Sequence, residues 1–282
     1  MFNVAKAVYN SLYSAKIKRG IRIIMMIIDL DSIRRIGQID PEYEIKYLDF
    51  ADIVISQNAE MSKWLISNRI NPAKVVNLDL FDFRLDTNYQ VITASNEVFE
   101  KNIIFEGNLT PEKAEFLYKW KPNFKAKLYG INLKQNAITR KYGIFGLFQS
   151  KQSCHGRQWF FVWFGLVWEG SSIETCTGLA EQYLKFSTPH KLSMYLSQGL
   201  PVIVWKESAM ANFVEENNIG FTIQSLSEID EIFEKITAQV YADIKSNVQI
   251  IKKKVVHGEF LKTALSKCFS KLNIPELREA IK

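Results

Sequence analysis

The chain has 282 residues, 47% of them hydrophobic and 23% charged; this suits one large or two modest α/β domains and excludes a disordered or fibrous chain. The formal charge is +6 and the pI about 9.0, yet there is no zinc-finger spacing and the aromatic residues lie in apolar runs, so nucleic acid is not an expected partner. The longest apolar runs, 23–28 and 159–168, fall short of the roughly 18–20 residues that cross a bilayer, and no apolar signal segment opens the chain.

Cys154, Cys176 and Cys268 cannot all pair and have no metal-ligand spacing, which fits a reducing cytoplasm. The basic stretches 16–22 and 252–254 read as solvated helix faces, with docking on an anionic membrane surface, at its inner face, as the alternative.

In chain order, the run 21–28 (IRIIMMII), followed by Asp29-Leu30-Asp31, predicts a buried parallel strand that ends in a polar loop. Residues 50–56 and 74–80 predict two more strands, with helices from Pro41 and over 61–68. A polar stretch, 86–102, separates these from a second series. There a strand at 103–106 enters the turn Gly107-Asn108-Leu109, a helix covers 112–120, and a strand at 126–129 ends at Gly130. Strands at 164–168, 201–205 and 221–223 alternate with helices at 189–198, 208–217 and 227–236, and 241–272 is helical. Such alternation predicts doubly wound parallel sheets.

The richest stretch is 164–205, FGLVWEGSSIETCTGLAEQYLKFSTPHKLSMYLSQGLPVIVW: strand, polar loop, amphipathic helix, Gly-Leu-Pro turn, strand. Thr188 is expected to cap the helix with Pro189 at its first position. Unsatisfied N–H groups at that start, with Lys191 in the first turn, suit an anion such as a nucleotide-sugar diphosphate. An ordinary helix start with a satisfied His190 is the alternative. Glu207 and Glu215, eight apart, follow rather than precede the Gly-Leu-Pro turn and read as a solvated helix face.

Residues 164–170, Cys176, 183–185, 189–196 and 199–205 match, in order, the motifs of a bacterial family of GT-B glycosyltransferases. The chain resembles its serine-rich-adhesin glucosyltransferases and galactofuranosyltransferases. The resemblance implies a GT-B-like α/β fold of two Rossmann-like domains. The two are a first domain over 1–93, incomplete at its N-terminus, and a nucleotide-sugar-binding domain over 94–245; C-terminal helices over 246–282 cross back to the first domain. Asp29, Arg34, Ala51, Asp52, Asp82 and Phe83 follow the family pattern of the first domain, with Ile28 in place of its histidine.

The family motif around Asn-x-Pro-His-Lys implies UDP contacts from Ser187, Thr188, Pro189, His190 and Lys191. Gly107 and Asn108 resemble its phosphate-side turn, and Tyr142 stands where relatives have a Y-x-G segment and could stack on the uracil, with simple packing as the alternative. Asp29 is the candidate catalytic base, and Glu169 could orient sugar hydroxyls. Asp29 and Asp31 spell D-x-D, yet in GT-B proteins helix dipoles and cations neutralise the leaving diphosphate, so neither a metal nor a separate cofactor is expected. The implied activity is transfer of glucose or galactofuranose from a UDP-sugar to a glycan or glycoprotein, with a homo-oligomer left open. The alternative is a non-catalytic nucleotide-sugar-binding remnant or accessory subunit. Residues 149–162 depart from the family loop; one codon assignment that encodes 152–156, read one base back, gives Glu-Leu-Pro-Trp, and a local frameshift is the expectation that follows.

Overall fold

The computed structural model describes residues 2–34, 40–85, 101–132, 143–147, 164–178 and 182–274. Tyr142, Cys154 and the 149–162 segment lie outside these. The chain divides into two compact units, Met1–Leu80 with Phe260–Lys282, and Phe81–Glu259. The expected divisions lie after 93 and 245; the compact units divide after 80 and 259. The long helix after 237 buries Tyr241, Ile244, Val248, Ile251 and Val255 and belongs to the second unit.

In the first unit, helix α1 (Phe2–Arg19) precedes strand β1 (Ile24–Met26) and helices α2 (Asp31–Arg34) and α3 (Pro41–Asp49). Strand β2 (Ile53–Ser56), helix α4 (Ala59–Ser67) and strand β3 (Val75–Asn77) follow. Asp40 caps α3 by accepting the Glu42 N–H, with Pro41 pre-set for the first turn. Asn58 caps α4 by accepting the Met61 N–H at 2.9 Å. The strands form a parallel sheet in the order β1-β2-β3. Its centre, β2, is wholly buried, as four consecutive apolar or small residues require of a strand covered on both faces.

The first predicted strand needs correction. β1 is three residues long, stands at the sheet edge and leaves Met26 40% exposed, with Ile28 beyond it 48% exposed. Among the described residues only β2 pairs with it, which makes it the edge of that sheet.

The second unit holds strands β4 (Asn102–Asn108), β5 (Lys125–Ile131), β6 (Gly143–Leu147), β7 (Phe164–Val167), β8 (Val202–Trp205) and β9 (Gly220–Ile223). Its helices are α5 (Pro111–Ala114), α6 (Phe116–Lys119), α7 (His190–Ser197), α8 (Ala211–Glu216), α9 (Glu228–Lys235) and α10 (Ala238–Val256). Helix α11 (Glu259–Lys271) then carries the chain into the first unit, where Lys271 Nζ donates to Ala73 O at 3.0 Å. The six strands are all parallel, in the order β6-β5-β4-β7-β8-β9. Phe105, Phe116, Trp120, Phe164, Trp168 and Trp205 dominate the core.

Two predicted helices are broken. The expected helix over 112–120 is interrupted at Glu115, where the Phe116 N–H turns to Gly170 O at 3.1 Å instead of a carbonyl one turn back. The expected helix over 241–272 breaks at Gly258, whose φ of +75° is a left-handed conformation that glycine adopts freely.

Candidate functional site

In the second sheet β4 comes first in the chain; β5 and β6 lie on one side of it, β7, β8 and β9 on the other. The chain reverses direction of growth between β4 and β7. Beyond the carboxyl ends of two such strands an open parallel sheet leaves a crevice, because the loops leaving them run to opposite sides. The strands do part here. β4 pairs with β5 along its whole length, Asn102 to Asn108, but with β7 only at Ile103–Phe164 and Ile104–Gly165.

Helix α7 starts at this place. Pro189 is its N-cap and His190 its first residue, one position later than the sequence suggests. Thr188 does not cap it: that hydroxyl is buried and donates to the Met210 sulfur at 3.2 Å. The first-turn N–H groups of His190 and Lys191 have no intrahelical acceptor by construction, and the helix dipole adds partial positive charge there.

Lys191 reaches from α7 over the end of β4. Its Nζ stands 4.8 Å from the centre of the Phe105 ring, and a Cβ built on Gly107 would lie 4.0 Å from it. It also ion-pairs with Glu169, just past β7, at 3.2 Å. With 16% of its surface exposed, the Lys191 side chain is largely withdrawn from water, and Coulomb forces act more strongly there than in bulk water. A diphosphate entering here meets one cation, a helix start and a strand end without a side chain at Gly107.

Of the other sequence candidates, His190 is exposed and stacks on Phe81, ring centres 4.4 Å apart at 23°. Asn108 serves its own turn: its Oδ1 accepts the Thr110 N–H at 3.1 Å and the Asn132 amide at 3.4 Å. Ser187 is buried beside Thr188. Asp29, in the first unit, is held by Arg34 at 2.6 Å. Glu207 lies in the turn that follows β8 rather than on a helix face. Hydrogen bonds from Lys185 at 2.8 Å and Gln224 at 3.2 Å hold its carboxyl below the usual range. Sequence reasoning missed Phe105 and Tyr195; only the glycine at 165, opposite Tyr195 in the folded chain, hinted at a close approach. Among the described residues no group of three His, Cys, Asp or Glu side chains is placed to hold a metal ion.

The model of the glucosyltransferase 3-like N-terminal domain matches residues 6–80, and that of the C-terminal domain matches residues 103–268. The chain belongs to the glucosyltransferase 3-like family. This family member is 33% identical over 253 residues to the beta-1,6-galactofuranosyltransferase WbbI of Escherichia coli (strain K12), a match covering 89% of the chain and 72% of that protein. It is 24% identical over 225 residues to glucosyltransferase 3 of Streptococcus parasanguinis, covering 79% of the chain and 62% of that protein.

Among solved structures, Anabaena HepE in complex with UDP and glucose aligns over 92% of the chain and 75% of its own, with a TM-score of 0.56 and 14% identity. The lipopolysaccharide outer core galactosyltransferase WaaB aligns over 95% and 80%, with a TM-score of 0.55 and 13% identity. At that identity the likeness speaks for the fold, which is GT-B: two α/β units with parallel sheets. No helix of the described residues is long and apolar enough to cross a membrane.

Proposed function

We propose that this family member transfers a hexose, glucose or galactofuranose, from a UDP-sugar to a hydroxyl of a glycan or glycoprotein. The observation that carries this reading is Lys191 at the start of α7, between Phe105 and Glu169, at the reversal point of the second sheet. The Lys191 ammonium and the first-turn N–H groups stabilise the diphosphate more as charge grows on its departing oxygen, which favours the transition state over the bound donor. Gly107 leaves room for the phosphates, Tyr142 is the proposed platform for uracil, and Asp29 the proposed acceptor base. No metal or separate cofactor enters this reading.

The test is calorimetric titration with UDP, then UDP-glucose and UDP-galactofuranose, followed by UDP release in the presence of acceptor. Lys191→Ala is expected to weaken UDP binding by about 1–3 kcal/mol, the scale of a lost charge-assisted hydrogen bond. Unchanged affinity removes Lys191 from the site. A second reading, nucleotide-sugar binding without transfer, draws support from Asp29, whose Oδ2 is already engaged by Arg34. Tight UDP binding with no release of UDP at any pH favours it.

A further inference from the structure

We propose that Tyr195 is a positioning residue of the donor site: its hydroxyl is a wedge that ends the β4–β7 ladder and sets where Lys191 stands. The inference rests on the donor-site reading above.

The wedge is visible in the hydrogen bonds. After Ile103–Phe164 and Ile104–Gly165, the next parallel bond would run from the Glu106 N–H to the Leu166 carbonyl. Instead the Glu106 N–H donates to Tyr195 Oη at 2.8 Å, and Tyr195 Oη donates to Leu166 O at 3.4 Å. One hydroxyl, which both accepts and donates, has been inserted where two backbone groups would otherwise meet. Both groups stay satisfied while the strands separate.

The ring fits because residue 165 is glycine. A Cβ there would come within 2.3 Å of Tyr195 Cγ, so β7 admits the ring only by having no side chain at that point. Tyr195 is fully buried, and its position is therefore fixed by contact as well as by hydrogen bonds. It lies four residues after Lys191 on α7, hence one turn along the same helix face. Glu106, the residue it holds, sits between Phe105, which faces Lys191 Nζ, and Gly107, which leaves space beside it. A single side chain thus ties the helix bearing the cation to the strand end over which the cation sits.

The test is a double-mutant cycle on UDP affinity in the full chain, with titrations carried to millimolar UDP. Y195F keeps the ring and removes the hydroxyl. It is expected to raise the UDP Kd roughly three- to thirty-fold when Lys191 is present, and less than about twofold in the Lys191→Ala background, because the effect passes through that lysine. Equal losses in both backgrounds, or no loss with Lys191 present, overturn the proposal. If Lys191→Ala alone leaves affinity unchanged, the donor-site reading has failed first, and that result is read before Tyr195 is altered. Should Y195F not fold, amide exchange in the unaltered chain decides. Saturating UDP is expected to slow exchange at Glu106, and an unchanged rate there overturns the proposal.

Discussion

Lys191 Nζ and Glu169 Oε1 stand 3.2 Å apart across the gap between a helix start and a strand end. The carboxylate is the internal counter-ion of the cation proposed to receive the diphosphate. Glu169 is 37% exposed, so water screens the pair and its net worth is small. Glu169 and an incoming phosphate nonetheless compete for one ammonium.

Glu169→Gln is therefore expected to tighten UDP binding, by up to about 1 kcal/mol or roughly fivefold. Calorimetry with UDP at low and moderate salt checks this: the gain should shrink as salt rises, since the repulsion removed is screened. Weaker UDP binding in the variant would assign Glu169 an attractive role instead.

Gly165 and Tyr195 give a prediction about stability. Gly165→Ala places a methyl group inside the buried tyrosine ring, so either β7 or α7 must move. Overpacking of this kind costs about 1–3 kcal/mol. Urea unfolding should show a lower midpoint with an unchanged slope, whereas an unchanged midpoint would mean that the ring repacks without cost.

The sequence carried much of the fold and part of the site, for identifiable reasons. β2, β4, β7 and β8 are legible because each is a short run of apolar residues flanked by polar turns, and local pattern is enough for that. Which strands are neighbours is a long-range matter. Nothing near residue 104 or residue 165 announces that they pair, yet that pairing creates the crevice. Lys191 was legible from the helix start; its contacts with Phe105, 86 positions earlier in the chain, were not. The break at Glu115 was hidden for the same reason, since the competing acceptor, Gly170 O, comes from another loop.

Asp52 makes the first unit sensitive to acid. Burial alone would raise its carboxyl, but the Ile23 N–H at 2.8 Å and the Lys16 ammonium at 3.0 Å outweigh that, with help from Arg22, and hold it below its ordinary 3.8. A folded value below the unfolded one gives stability that is complete above 3.8 and is lost as pH falls through the folded value. Asp52→Asn should cost about 1–2 kcal/mol at neutral pH and flatten the acid limb. Hydrogen exchange at β2, compared at neutral and acid pH, measures both.

Cys268 is fully buried, and burial pushes its thiol up to about 11, against the pull of the nearby Lys271 charge. Raising the value by about two units from 9.0 cuts the thiolate fraction at mildly alkaline pH roughly 100-fold, before access is considered. Iodoacetamide should therefore label Cys268 rapidly in urea and very slowly in the native chain. Mass spectrometry of the labelled peptide tells the two apart, and fast native labelling would contradict the burial.

The division of the chain has a consequence for how it is made. The second unit is one uninterrupted stretch, Phe81–Glu259, while the first is built from residues at both ends, Met1–Leu80 and Phe260–Lys282. A ribosome delivers residues in order, so the nucleotide-side unit has all its strands before the other has its last helix. Residues 1–80 must wait for their last helix, α11, through the synthesis of some 180 further residues, the length of 81–259. During that interval the first unit lacks the helix whose Lys271 donates to Ala73 O just before β3, and chaperone demand should be concentrated there rather than on the part that holds Lys191.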